Sequence, residues 1–142
     1  MLEHLNGKII NFHGSILAFE GLNEFVFYYI EGSDLAYLSS VQDEKIGFVI
    51  AVPFEYFKEY TFELNEDDVA RLELHSEQDV LILSIVTLRE PFQESTMNLL
   101  APLVINVRNL KGYQIILPPS YEYEIKTPLY PKERQESGEK KC

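Results

Sequence analysis

A succession of short β-prone runs, each ended by turn residues, most strongly constrains how this chain folds. The runs are rich in β-branched and aromatic side chains, which fit a pleated sheet. They span residues 8–12, 25–30, 35–40, 46–52, 61–64, 79–88, 99–106, 113–117 and 121–125. Because no helical segments alternate with them, parallel βαβ units are not expected. The sequence predicts an all-β domain, mainly antiparallel, folded as a barrel or a barrel-like sandwich with one or two short helices.

The strongest helix signal lies near the middle of the chain. Asn65 is a good N-cap residue, and the three residues after it are acidic, which suits the positive end of a helix dipole. Val69 and Leu72 would form the apolar stripe of this short helix. Pro53 favours a second helical turn within residues 53–60, because its fixed φ suits a first helical position.

Two further patterns indicate where strands lie. The run at 46–52 is apolar on both faces, so we expect its strand to be buried centrally and to end at Pro53, which has no N–H for a ladder. A tight connection is expected at residues 109–112, since Gly112 accepts a positive φ without strain. It would join the runs on either side as antiparallel neighbours.

The length of 142 residues and the hydrophobic share of 46% suit a single domain with a real core. We assign this domain to residues 1–130 and predict that the polar, charged segment 131–142 is a disordered tail. The one cysteine, Cys142, rules out an intramolecular disulfide, which suits a reducing cytosol. Neither a signal peptide nor an apolar run of the roughly 20 residues that span a membrane occurs, so a cytoplasmic protein is expected.

Net charge limits the partners of this chain. Lys and Arg number 12 against 23 Asp and Glu, which gives a formal charge of −11 with histidine neutral. Negative charge repels phosphate groups, so neither direct nucleic-acid binding nor attachment to an acidic membrane surface is expected. The chain has 9 Tyr and 9 Phe, but platforms that stack bases normally sit beside basic side chains, and here the neighbours are mainly acidic.

Catalytic and metal-binding motifs are weak. His4, His13 and His75 are the only histidines, and none has a partner at a metal-ligand spacing. No P-loop, Rossmann glycine fingerprint or G-x-S-x-G motif occurs. Helix capping and solvated turns explain the acidic pairs, although paired-carboxylate chemistry stays open. We therefore expect a non-enzymatic protein without a cofactor or metal. A small β-barrel enzyme and a structural subunit of a larger assembly are the alternatives.

Three groups of side chains are candidates for binding a protein partner. The acidic start of the helix offers a docking face for a basic protein, although a solvated helix explains it equally well. Aromatic residues before the helix would line an apolar groove or pack in the core. Two asparagines at the ends of an apolar run carry amides that could bond a partner or exposed backbone groups. The candidates are Glu66, Asp67 and Asp68; Phe54, Tyr56, Phe57 and Tyr60; and Asn98 and Asn106.

Four sequence blocks make the chain similar to the FliW family of flagellar assembly factors from residue 14 to the region of residue 129. The first two are GSILAFEGL at 14–22 and FVIAVP at 48–53. The other two, NLLAPLVIN at 98–106 and KGYQIIL at 111–117, form the most specific combination. The chain departs from the family pattern at Ala18, where a glycine is common, and at Ser39, where a glutamine is common. The first departure raises a question about the shape of the loop near Ala18.

The resemblance implies a cytoplasmic adaptor without catalytic activity. Proteins of this family bind flagellin, and they also bind CsrA, a small RNA-binding repressor of translation. Free flagellin occupies the adaptor; once flagellin is exported, the released adaptor captures CsrA and relieves repression of flagellin translation. An acidic β domain without catalytic motifs suits such a partner switch. Flagellin capture would bury an amphipathic helix or an extended segment in an apolar groove or at a strand edge.

Overall fold

The computed structural model describes residues 2–130, and nine strands form its framework. The segment 131–142, for which we expect disorder, lies outside the described residues. The strands agree with most of the β-prone runs, and they are β1 Ile9–Asn11, β2 Glu24–Tyr29, β3 Leu35–Ser40, β4 Gly47–Ala51, β5 Val80–Thr87, β6 Thr96–Met97, β7 Leu103–Asn106, β8 Lys111–Gln114 and β9 Thr127–Pro128.

Seven of these strands close into a barrel. The order around the ring is β4, β3, β2, β1, β8, β7 and β5, and β5 pairs again with β4. Neighbours in the ring are antiparallel except β1 and β8, which are parallel and in register at Asn11 and Lys111. The short strands β6 and β9 continue the sheet from the far end of β5. The prediction of an all-β, mainly antiparallel barrel is confirmed.

Alternation of side chains along the strands creates two apolar layers. The inward side chains of β4 and β5, such as Ile50 and Leu83, join the fully buried Phe12, Phe25 and Phe27 inside the barrel. The outward side chains of the same two strands belong to a second cluster outside the ring, formed by Ala51, Tyr60, Val86, Met97, Leu99, Leu117 and Leu129. Because side chains on both faces of β4 and β5 pack in these two layers, the sequences of the two strands are nearly continuous apolar runs.

The helix α1, Glu66–Leu72, forms where the sequence predicts it. The side-chain oxygen of Asn65 accepts the N–H of Asp68 at 2.8 Å and so caps the first turn. The helix ends at Leu72, and the C-cap residue Glu73 has a φ of 55°, in the left-handed region. The predicted helical turn after β4 also forms, and the 3-10 segments are Leu2–Leu5, Pro53–Glu55, Glu77–Asp79, Phe92–Glu94 and Pro119–Tyr121. Within residues 2–130, no helix has the length and apolar character needed to cross a membrane.

Two predicted strands are wrong. Residues 61–64 and 121–125 are outside any strand, although each alternates apolar and polar side chains. The hydroxyls of Tyr121 and Tyr123 bond the backbone of 61–63, so side-chain bonds replace the ladder that strand pairing would have supplied. The two segments therefore lie side by side without forming a sheet.

The reason given for the tight connection at 109–112 is also wrong. The left-handed residue there is Leu110, with a φ of 61°, and Gly112 lies within β8. A Cβ on Gly112 would come within 2.7 Å of the Phe12 ring. Glycine is needed at this position because the strand passes directly over a buried aromatic side chain.

The loop near Ala18 keeps a conformation that favours glycine. Ala18 has a φ of 72°, which places its Cβ close to backbone oxygen and costs an L-residue about 1–2 kcal/mol. Its N–H points to the carboxylate of Glu20, at 3.2 Å. The departure from the family pattern therefore leaves the loop with a strained alanine and does not abolish its left-handed turn.

Candidate protein-binding surface

Residues 53–65 leave the barrel at the end of β4 and cover part of the outer apolar layer. Tyr60 anchors this segment: it is 4% exposed, and its hydroxyl donates to the carbonyl of Leu99 at 2.7 Å. Its ring lies 5.7 Å from that of Phe54, 5.6 Å from Phe62 and 4.6 Å from Tyr123. Burial raises the pKa of Tyr60. The hydroxyl therefore stays protonated, and able to donate, into the alkaline range.

Two tyrosine hydroxyls hold the end of this segment. The Tyr123 hydroxyl accepts the N–H of Thr61 at 3.0 Å and donates to the carbonyl of Thr61 at 2.9 Å. The Tyr121 hydroxyl accepts the N–H of Glu63 at 3.1 Å. The two tyrosine rings stack with an interplanar angle of 7°. Side chains of residues 121 and 123 thus hold the backbone of Thr61 and Glu63.

An open depression, called the α1 groove below, lies between this segment, α1 and the start of β5. Its volume is about 700 Å³. Phe54, 37% exposed, lies at one side of it. The other apolar lining residues are Phe62, Leu64, Val69, Leu74, Val80 and Ile82. A half-exposed apolar surface of this shape is typical of sites that bind proteins or peptides.

The rim of the α1 groove is acidic. Glu63 and Glu77 line it, and Glu66 and Glu73 line the adjoining depression over α1. His75 lines both depressions, and no Lys or Arg occurs among their lining residues in the described part of the chain. The groove therefore favours partners whose apolar side chains are flanked by positive charge.

The other predicted aromatic residues line a different depression from Phe54. Tyr56, Phe57 and Tyr60 line a second depression with Leu99. The Tyr56 hydroxyl donates to Asp34 at 3.0 Å, and burial together with this carboxylate raises the pKa of Tyr56. The structure thus divides the predicted aromatic group between two neighbouring surfaces.

The three acidic candidates at the start of α1 have different surroundings. Glu66 and Asp67 are exposed, whereas Asp68 is only 5% exposed. The Asp68 carboxylate accepts a hydrogen bond from Arg71, one turn along the helix. Arg71 also lies over the ring of Tyr113, 4.5 Å from its centroid. Asp68 thus helps to attach α1 to the barrel, and Glu66 and Asp67 are the two carboxylates that face solvent.

Asn106 fixes the other end of α1. Its amide nitrogen donates to the carbonyl of Leu72 at 2.8 Å and to that of Glu73 at 3.3 Å, and its oxygen accepts the N–H of Arg108 at 2.9 Å. Lys111 bonds the Glu73 carboxylate and lowers the pKa of Glu73. The amide is 2% exposed and occupied within the chain, so its role in holding the helix end explains it without a partner.

Asn98 has a local role of the same kind. Its side-chain oxygen accepts the N–H of Ala101 at 2.9 Å, and its own N–H donates to the carbonyl of Ile85 at 2.9 Å. These bonds shape the turn that leads into β7. The family block at 98–106 is therefore built largely from residues that stabilise the fold.

Sequence reasoning missed the residues that complete the α1 groove. Leu64 and Leu74 lie in the connections before and after α1 and Val80 begins β5, and no spacing in the sequence links the three. The sequence predicts a strand at Tyr121 and Tyr123, because their hydroxyl bonds to a segment about 60 residues earlier give no local signal. Among residues 2–130, no group of three or more His, Cys, Asp or Glu side chains is arranged to hold a metal ion.

The fold and this surface define a small antiparallel β-barrel protein that presents an open, acid-rimmed apolar groove. Residues 2–129 match the family described as "FliW protein". A "Flagellar assembly factor FliW" of Clostridium kluyveri is 41% identical over 131 residues, which are 92% of this chain and 90% of that protein. The protein of that name from Clostridioides difficile is 44% identical over 115 residues, 80% of this chain and 88% of the relative.

A solved structure gives the same result. The crystal structure of a flagellar assembly factor FliW superposes with a TM-score of 0.81 at 36% sequence identity, and the match covers 87% of this chain and 86% of that one. The chain belongs to the FliW family.

Proposed function

We propose that this flagellar assembly factor is a non-enzymatic adaptor that works in the cytoplasm by exchanging protein partners. It binds flagellin while flagellin awaits export. Once released, it binds the translational repressor CsrA and relieves repression of flagellin mRNA translation. It makes no direct contact with nucleic acid.

Membership of the FliW family is the observation that carries this proposal, because its named relatives are flagellar assembly factors. The α1 groove supports it with a surface suited to protein segments, since it is open, lined by apolar side chains and bordered by carboxylates. The formal charge of −11 is consistent with an adaptor that keeps away from RNA.

Charge supplies a modest part of the proposed antagonism of CsrA. Two unit charges 10 Å apart in water interact by about 0.4 kcal/mol, and salt with a Debye length of about 8 Å reduces this several-fold. A few carboxylates facing a few phosphates then contribute on the order of 1–2 kcal/mol, roughly tenfold in RNA affinity. Steric exclusion or a change in CsrA conformation supplies the rest.

A competition experiment tests the exchange. The purified protein is loaded with CsrA, flagellin is added, and the CsrA released is followed by size-exclusion chromatography or fluorescence anisotropy. Flagellin should displace CsrA, and the released CsrA should regain its affinity for flagellin mRNA. Binding of neither protein, or turnover of a small molecule by the purified material, would refute the adaptor.

The electrostatic part is tested by removing the two exposed carboxylates at the start of α1. The pair Glu66→Gln and Asp67→Asn should weaken antagonism roughly twofold at low salt and have no effect at high salt. The matched control neutralises Glu31 and Glu44, which are exposed elsewhere. Asp68 is left intact, because its neutralisation would disturb the Arg71 contact. If the Glu66→Gln and Asp67→Asn pair leaves RNA release from CsrA unchanged at low salt, these charges play no part in the antagonism.

A further inference from the structure

We infer that the α1 groove receives an extended segment of a partner protein, which adds as a β-strand to the open edge of residues 61–64. The inference deepens the proposed function and rests on it in one respect, that the partner is a protein. It specifies the conformation and the chemistry of the segment that is bound.

The hydrogen bonds of residues 61–64 are the first argument. Thr61 and Glu63 direct their bonded backbone groups toward Tyr123 and Tyr121. In extended backbone, successive residues direct their N–H and C=O groups to opposite edges. Phe62 and Leu64 therefore face the other edge, and within residues 2–130 their backbone N–H and C=O groups form no hydrogen bond. Tyrosine hydroxyls thus bond one edge of the segment, and the other edge presents the backbone N–H and C=O groups of Phe62 and Leu64 without partners among residues 2–130.

The side chains around that edge form the second argument. Phe62 and Leu64 line the α1 groove together with Val80 and Ile82 of β5. The pairing of β4 with β5 extends from Val86 only to Ser84, because Pro53 turns the chain away. A strand laid in the groove would thus find unpaired backbone groups at its side and an apolar surface beneath alternate side chains, which is the usual basis of strand addition.

Charge specifies the occupant. The groove and the depression beside it are bordered by Glu63, Glu66 and Glu77, and the Lys111 near Glu73 is already paired. An acidic segment would be repelled, and a purely apolar one would leave these carboxylates uncompensated. The fitting occupant is an extended segment with apolar side chains at alternate positions and Lys or Arg between or beside them.

A helix is a poorer occupant than a strand. A helix satisfies its own backbone groups and would cover Phe62 and Leu64 without supplying partners to their N–H and C=O groups. Those groups would lose water and gain nothing, which opposes binding. A strand provides the missing donors and acceptors at the same spacing.

Residue-resolved amide exchange of the full chain, measured by NMR with and without purified flagellin, tests this mode of binding. In the free protein the amides of Phe62 and Leu64 should exchange rapidly. In the complex both should slow at least tenfold, while those of Thr61 and Glu63 change less. A complex in which the amides of Phe62 and Leu64 exchange as before would overturn the inference. So would slow exchange in the free protein, since the edge would then already be covered.

Short synthetic peptides keep this inference separate from the proposed function. The capped peptide Lys-Val-Lys-Val-Lys-Val-Lys should shift the amide resonances of Phe62 and Leu64 at millimolar concentration, and its Glu-for-Lys counterpart should not. These shifts without flagellin binding would support the groove and refute the flagellin adaptor. If flagellin binds but neither peptide has an effect and the two amides do not slow, the flagellin adaptor is supported and binding in the α1 groove is refuted.

Charge-matched variants locate the binding. Val69→Arg places a cation in the α1 groove and should weaken the basic peptide at least tenfold. Ile116→Arg adds the same side chain at an exposed apolar position, 59% accessible, outside the groove. It should leave binding unchanged. Equal effects of the two variants would show that net charge alone governs binding, and the groove would be excluded.

Discussion

The strained loop residue Ala18 yields the sharpest stability prediction. Substitution by glycine removes the steric cost of a left-handed L-residue, about 1–2 kcal/mol, and the φ of 72° shows that this cost is present in the fold. Glycine also loses more backbone freedom on folding, which costs about 0.5–1 kcal/mol. Ala18 is exposed, so its methyl group contributes little packing. We expect Ala18→Gly to stabilise the protein by about 0.75 kcal/mol, the difference between the midpoints of these two ranges.

The assay is urea unfolding followed by circular dichroism, with calorimetry as a second measurement. The melting temperature should rise by about 1–4 °C, as expected for a domain of this size. The matched control is Ala70→Gly, on the exposed side of α1, which should destabilise by about 1 kcal/mol because its backbone is helical. The slope of the unfolding curve should be the same in both variants.

The opposite signs of these two substitutions are the critical result. Both remove one exposed methyl group from an alanine, and they differ in backbone conformation. If Ala18→Gly destabilised the protein as much as Ala70→Gly, the strain attributed to the left-handed turn would be absent and the argument would fail. Gly14 has a φ of 69° in the same loop. Gly14→Ala should destabilise strongly, since its Cβ would lie 2.8 Å from the carbonyl oxygen of Glu20.

Three further substitutions probe the core and the attachment of α1. Gly112→Ala should cost about 1–3 kcal/mol in urea unfolding because the new methyl group meets the Phe12 ring; a neutral effect would contradict the close contact. Asn106→Ala should cost about 1–3 kcal/mol and speed amide exchange in α1, because the carbonyl of Glu73 loses its donor and that of Leu72 keeps only the 3.3 Å bond from the Asn109 amide; amide exchange in α1 that stays slow would show that Asn106 does not hold the helix end. The pKa of Tyr60 is raised above its ordinary 10.0, so the stability from its protonated hydroxyl is complete below pH 10 and is lost as the pH rises further. Tyr60→Phe should lower stability at pH 8 and flatten the alkaline loss in unfolding curves measured from pH 8 to 11; an unchanged slope would exclude Tyr60 as its source.

The framework was predictable from sequence because its signals are local. The runs at 25–30 and 35–40 carry their β-prone side chains and their turn within about fifteen residues, and they form β2 and β3 almost as expected. The run at 46–52 is apolar on both faces, and β4 is covered on both faces. Asn65 caps α1 as its position before three acidic residues indicates.

The errors arise where distant residues decide the local structure. Residues 61–64 have the alternation of a strand, but hydroxyls from 121 and 123 take the place of a neighbouring strand. Gly112 is required by the ring of Phe12, about one hundred residues earlier in the chain, and its own neighbours give no sign of this. Asp68 belongs to an acidic triplet in the sequence, but in the structure it is buried and pairs with Arg71. Glu66 and Asp67, its neighbours in the triplet, stay exposed.

The difference between structure set by local sequence and structure set by distant contacts also explains where a binding surface can form on this barrel. A closed ring satisfies its strands internally, so the barrel itself offers few open edges. The outer layer is different: residues 53–65 cover apolar side chains of β4 and β5 without joining the sheet, and Tyr60 and two tyrosine hydroxyls hold them in place. Because side chains hold Thr61 and Glu63, the backbone groups of Phe62 and Leu64 form no hydrogen bond within residues 2–130. The segment that completes the second apolar layer is therefore also the one that is able to accept another strand.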